Sequence, residues 1–101
     1  MSDLFILDGK TPVRCYDILR WADWRSKTNK KIKLNKVGKS TISTIFLGID
    51  HNIIPGGLPV LFETYVFDGP LDGEMERFFT WDDAVKGHDK MVEKVKAASK
   101  L

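Results

Sequence analysis

The stretch from Ser40 to Asp68 constrains this chain more than any other. STISTIFLGID, HNIIPGGLP and VLFETYVFD read as two long strands joined by a connection rich in glycine and proline. In the first strand Ile45, Leu47 and Ile49 alternate with Thr44, Phe46 and Gly48, and β-branched residues abound, so burial on both faces or nearly so is expected. In the second, Val60, Phe62, Thr64 and Val66 point one way, and Leu61, Glu63, Tyr65 and Phe67 the other. Glu63 is the anomaly. A carboxylate in so apolar a run needs a partner, because unpaired burial is costly or drives the group to its neutral form. Pro55, Gly56, Gly57 and Pro59 punctuate a connection longer than a two-residue turn, able to shape a pocket rim.

With 101 residues the chain is expected to be one domain, 1–101, small enough for stability to lean on self-association. An apolar content of 43% beside 30% charged residues places it with ordinary globular chains. The single cysteine, Cys15, excludes an internal disulfide framework and a cysteine-rich zinc site, and suits a reducing cytoplasm. No apolar run is long enough to span a bilayer. The N-terminus shows no signal-peptide pattern, since Asp3 and Asp8 interrupt its short apolar run. A cytoplasmic protein without membrane contact is the expectation.

Net charge is only +2, but its distribution is uneven. Seven basic residues and no acid lie between Arg25 and Lys39, leaving the other 86 residues with 9 basic and 14 acidic side chains. This segment reads either as an edge strand whose lysines block aggregation or as a phosphate-facing patch. Nucleic acid is not the expected partner, because a generic DNA binder carries a more basic balance overall. A small anionic ligand fits at least as well.

In chain order, Leu4 to Leu7 is a short first strand ended by the turn pair Asp8-Gly9. Pro12 leads into a helix from about Cys15 to Ser26, with Ile18, Leu19 and Ala22 as its buried stripe and Arg20 and Asp23 facing water. Trp21 and Trp24 are neighbours on that helix. They either cover the sheet or a dimer contact, or form a stacking platform. Lys31 to Val37 alternates as an outer strand with Ile32 and Leu34 inward, GPLDG (69–73) is a turn, and Glu74 to Phe79 a last strand. The final helix has Thr80 as N-cap with Asp83 three residues on. Its apolar stripe is Trp81, Val85, His88, Val92 and Val95. The fold class is therefore α+β: an antiparallel meander of four strands, or five if the N-terminal strand joins it, with two flanking helices.

Chemistry-bearing residues are few. His51 and His88 with Asp50, Glu63 and Asp68 are the only acid and base material near the hairpin, and no metal-ligand spacing, nucleophile elbow or phosphate loop occurs. His88 reads as a core histidine satisfied by a hydrogen bond or as a site residue. No enzyme, metal or cofactor is expected. Arg77 suits a buried carboxylate, Glu63 or Asp68, and equally a phosphate. Trp24, Phe46, Tyr65 and Trp81 would stack on a base if they line a groove.

STISTIFLGIDHNIIPGGLPVLFETYVF (40–67), DGEMERFFTW (72–81) and the later GH (87–88) resemble the recurring words of a widespread family of small proteins of tailed bacteriophages and prophages. LDGKTPV (7–13) with the tryptophan-bearing helix is similar to that family's N-terminal part. The likeness covers nearly the whole chain at the level of a strand ending in FLGxDH, a loop, LFETxVF and TWxxAxxGH. The association it carries is with phage sponge proteins that sequester cyclic nucleotide signals of bacterial immunity, such as cyclic GMP–AMP, without cleavage and as small homo-oligomers. The lysine-rich segment departs from the family's more acidic or mixed stretch.

Resemblance and residues together predict a homo-oligomeric binding protein of the infected host's cytoplasm that takes a cyclic dinucleotide or a cyclic ADP-ribose type ligand. Its expected ligand-binding residues are Trp24, Asp50, His51, Glu63, Tyr65, Arg77, Trp81 and His88. The alternative is an interaction module that binds a host or phage protein through its helix tryptophans.

Overall fold

A computed structural model describes residues 3–52, 54 and 56–100. Pro55, one of the residues expected to punctuate the central connection, lies outside the described residues. The chain runs β1 (Leu4–Asp8), β2 (Thr11–Cys15), α1 (Ile18–Lys27), β3 (Lys31–Val37), β4 (Ser40–Phe46), β5 (Phe62–Phe67), β6 (Met75–Phe78) and α2 (Trp81–Ser99). β3 to β6 form an antiparallel sheet in chain order, and β1 pairs with β2 in a separate hairpin. The α+β meander of four strands is as expected. The N-terminal strand, however, forms its ladder with Thr11–Cys15, in the register Leu4 to Cys15 through Asp8 to Thr11, and meets the chain beyond β4 only through an isolated antiparallel bridge of Leu4 to Ile49.

β4 and β5 alternate as their sequences require. Ile42, Thr44 and Phe46 share one face with Phe62, Thr64 and Val66, all buried, and α2 covers that face. Two apolar clusters fill it. Ile42, Val66, Met91, Val92 and Val95 form one, and Phe46, Leu61, Phe62 and Ala84, with Phe5, Trp24, Phe78 and Trp81 packed around them, form the other. α2 starts as read: the Thr80 hydroxyl accepts from Asp83 N at 3.1 Å. Its buried stripe shifts slightly, to Ala84, Gly87, His88, Met91, Val92 and Val95.

α1 corrects the sequence reading in two ways. It begins at Ile18 rather than near Cys15, because Asp17 caps it by accepting from Leu19 N and Arg20 N, and Cys15 closes β2. Its docking face is also different: Ile18 and Leu19 are 63% and 79% exposed. The helix is held instead by polar donors on its tryptophan side. Trp21 Nε1 donates to Phe5 O at 3.1 Å and Gly48 O at 3.0 Å, Arg25 Nη1 donates to Leu47 O at 2.5 Å, and Trp24 meets Phe46 edge-on. Those carbonyls lie in β1 and just past β4, where each can take a side-chain donor, Gly48 O in addition to Phe5 N, so the indole and guanidinium decide which side faces in. Gly48, at φ +76°, has no Cβ to crowd Arg25 and Trp21.

β3 departs from strict alternation. Lys31 opposes Ile45 but Lys33 opposes Thr44, so Ile32 is the extra residue of a β-bulge. Ile32 and Lys33 thus fall on the α2 side, and Leu34, expected inward, is 49% exposed on the opposite face.

Candidate functional site

α2 covers only one face of the meander. On the other face the register gives three rows of side chains: Lys36, Thr41 and Phe67; then Leu34, Ser43, Tyr65 and Met75; then Lys31, Ile45, Glu63 and Arg77. No element packs on these rows among the described residues. Ser43, Ile45, Glu63, Tyr65 and Phe67 line a recess of about 290 Å³ there. The Tyr65 and Phe67 rings lie 4.6 Å apart and tilted by 47°, with Phe67 48% exposed. Glu63 and Arg77 face each other across β5 and β6, and Arg77 Nε donates to Glu63 Oε2 at 3.1 Å. The pair expected from the anomaly of Glu63 therefore forms. The Glu63 side chain is mostly shielded and that of Arg77 is 39% exposed, and Arg77 also lines a second recess with Asp83, Lys86 and Lys90 of α2.

Three of the eight expected site residues, Glu63, Tyr65 and Arg77, meet on this face. The other five do not join them. Trp24 and Trp81 pack on the α2 side, edge-on to Phe46 and Phe62 respectively, so no single groove is lined by Trp24, Phe46, Tyr65 and Trp81. Trp81 turns its outer side to Lys10, whose Nζ lies 5.9 Å from the ring centre. Asp50 clamps the β4–β5 connection: its Oδ1 accepts from Asn52 N at 2.8 Å and Val60 N at 2.9 Å. His51 is exposed on that connection, away from the recess.

His88 is wholly buried between α2 and the sheet, in a polar band that separates the two apolar clusters. Its Nδ1 lies 2.7 Å from Thr44 Oγ1, its Nε2 lies 2.7 Å from Asn35 Oδ1, and Thr44 Oγ1 lies 2.5 Å from Thr64 Oγ1. With Asn35 Oδ1 as acceptor, Nε2 carries the proton and Nδ1 accepts from Thr44, which in turn accepts from Thr64. Burial, reinforced by the positive charge of Lys33 and partly offset by Asp89, holds the imidazole below its ordinary range. Asp89 is itself held below the usual carboxylate range, chiefly by the hydrogen bond from Lys33. The structure thus gives His88 two hydrogen bonds in the core.

Sequence reasoning overlooked Ser43, Ile45 and Phe67. Phe67 was already on the Glu63 and Tyr65 side by alternation, whereas Ser43 and Ile45 need the β4–β5 register. Among the described residues no three His, Cys, Asp or Glu side chains gather as metal ligands, and no helix is long and apolar enough to cross a membrane. The basic segment is divided: Lys33 pairs with Asp89 on the α2 side, while Lys31 and Lys36 belong to the uncovered face. No family model matches this chain, and no curated protein or solved structure matches it.

Proposed function

We propose that this chain is a binding protein, not an enzyme, that holds an anionic nucleotide on the uncovered face of its sheet. The observation that carries the reading is the convergence of an aromatic pair and a carboxylate on one recess, with an arginine beside it that holds the carboxylate. Aromatic rings offer a base a stacking surface, and the charges of Arg77, Lys31 and Lys36, whose register positions belong to the same face, offer phosphates a positive field. The bulge supports the same reading, because it turns Lys36 toward this face. The resemblance to phage proteins gives the biological form: sequestration of a cyclic nucleotide immune signal, without cleavage, in the infected host's cytoplasm and by a homo-oligomer. The test is a thermal-shift screen of the purified protein against cyclic dinucleotides and cyclic ADP-ribose isomers, with the ligand recovered and examined by chromatography. A ligand at a hundredfold excess over its dissociation constant stabilises a folded protein by about 2.7 kcal/mol. A clear upward shift with intact ligand supports the proposal, and no shift across the panel refutes it.

A second reading rests on α1. Its tryptophans are engaged in docking, but Tyr16, Ile18 and Leu19 are 85%, 63% and 79% exposed. An interaction module would therefore use the outer side of α1 rather than its tryptophans. Retention of a polypeptide that is abolished by Leu19→Asp, in a protein indifferent to every nucleotide, would favour this reading.

A further inference from the structure

Building on that nucleotide reading, we infer that the base held in the sheet recess is guanine, selected by Glu63. The recess of about 290 Å³ lies at the lower edge of ligand pockets, which start at roughly 300 Å³, so it seats one base rather than a whole dinucleotide. Of the polar groups that line it, Glu63 is the only charged one. Arg77 fixes the carboxylate by donating to Oε2 and leaves Oε1 with no hydrogen bond among the described residues. An ionised carboxylate only accepts, at about four lone-pair positions, so it asks for N–H groups in the edge that meets it.

The four bases answer that demand differently. Guanine presents N1–H and the N2 amine side by side, two donors for one carboxylate. Adenine and cytosine each place an amine beside a ring-nitrogen acceptor, and uracil places N3–H between two carbonyl oxygens. In each of those, a lone pair is brought against the carboxylate, and the shielded position of Glu63 keeps water from relieving the repulsion. Tyr65, next along the same face of β5, supplies the ring on which the base lies, and Arg77, next across the sheet, stands where a phosphate would follow. A cyclic ADP-ribose isomer has adenine as its only base and fails this requirement. A guanine-bearing cyclic dinucleotide meets it.

The experiment is isothermal titration of the full chain with GMP, AMP, cyclic di-GMP and cyclic di-AMP, repeated on Glu63→Gln with its melting temperature checked. In the natural chain each guanine ligand is expected to bind at least about tenfold tighter than its adenine counterpart, in line with one bidentate base contact. Glu63→Gln is expected to collapse that ratio. Adenine ligands binding as tightly as guanine ones, or a ratio intact in Glu63→Gln, would overturn the guanine assignment and leave the nucleotide reading standing. Failure of all four ligands to bind would overturn the guanine assignment, and the nucleotide reading falls with it only when the wider thermal-shift panel is also silent.

Discussion

Thr44 Oγ1 sits 2.7 Å from His88 Nδ1, joining the centre of the sheet to the centre of α2 through a histidine that is wholly buried. The direction of the pH response follows. In the folded chain the His88 pKa is lowered, whereas the unfolded chain titrates near 6.5. As pH falls through that value the unfolded state takes up a proton that the folded state refuses, so stability falls. Urea denaturation is expected to give a level unfolding free energy above about pH 7, declining below about 6.5 by at most about 1.4 kcal/mol per pH unit from this group. His88→Asn is expected to be less stable at pH 8 yet level through the same window.

Gly87 lies on the buried side of α2 directly under the Phe78 ring, and a Cβ there would overlap that ring. Alanine in a helix interior is favoured over glycine by about 1 kcal/mol, but overpacking costs about 1–3 kcal/mol. A net loss is expected for Gly87→Ala, measured by chemical denaturation. Because Phe78 is on the edge strand, the double variant Gly87→Ala with Phe78→Leu is expected to recover part of it.

Ser40 is buried and its Oγ has no hydrogen-bond partner among the described residues. An unsatisfied hydroxyl costs about 1–3 kcal/mol. Ser40→Ala is therefore expected to be neutral or stabilising, with a raised melting temperature in calorimetry. Thr44→Val, at an equally buried position whose hydroxyl is bonded on two sides, is expected to destabilise.

The two faces of the sheet separate ligand binding from packing. Tyr65→Ala and Arg77→Ala are expected to weaken a bound nucleotide by tenfold or so each while leaving most of the fold's stability, since one stacked base is worth about 1–3 kcal/mol. Trp81→Ala, on the α2 side against Phe62, is expected to lower stability first. A recess for one base further predicts one cyclic dinucleotide per two chains in titration, and a ligand-bound dimer in sedimentation.

Local chemistry made much of this legible in advance. The Thr80 cap, the Asp8-Gly9 turn, the two-sided pattern of β5 and the Glu63–Arg77 pair all rest on neighbours or on simple alternation. Thr11–Cys15 was not legible as a strand, because Pro12 and Arg14 in so short a run give no apolar pattern and only pairing with Leu4–Asp8 orders it. The docking side of α1 was hidden because Ile18 and Leu19 outrank Trp21 in apolarity, while the indole and guanidinium donors that decide the matter need carbonyls distant in sequence. Residue type marks Trp24, Trp81 and His88 as site candidates, but type does not say which side of a sheet a residue takes, and packing against Phe46, Phe62 and Thr44 puts all three across the sheet from Tyr65.

The extra residue in β3 has a genetic meaning. Without Ile32, Lys31 and Lys33 become consecutive opposite Ile45 and Thr44, so the ladder regularises and Leu34, Asn35 and Lys36 keep their partners and their faces. The loss is confined to one apolar side chain beside Phe46 and Phe62. A one-codon deletion here is thus absorbed by the pairing, whereas the same deletion at Leu34, with Asn35 to Val37 held in place, would set Lys33 opposite Ser43 and on the far face from Asp89.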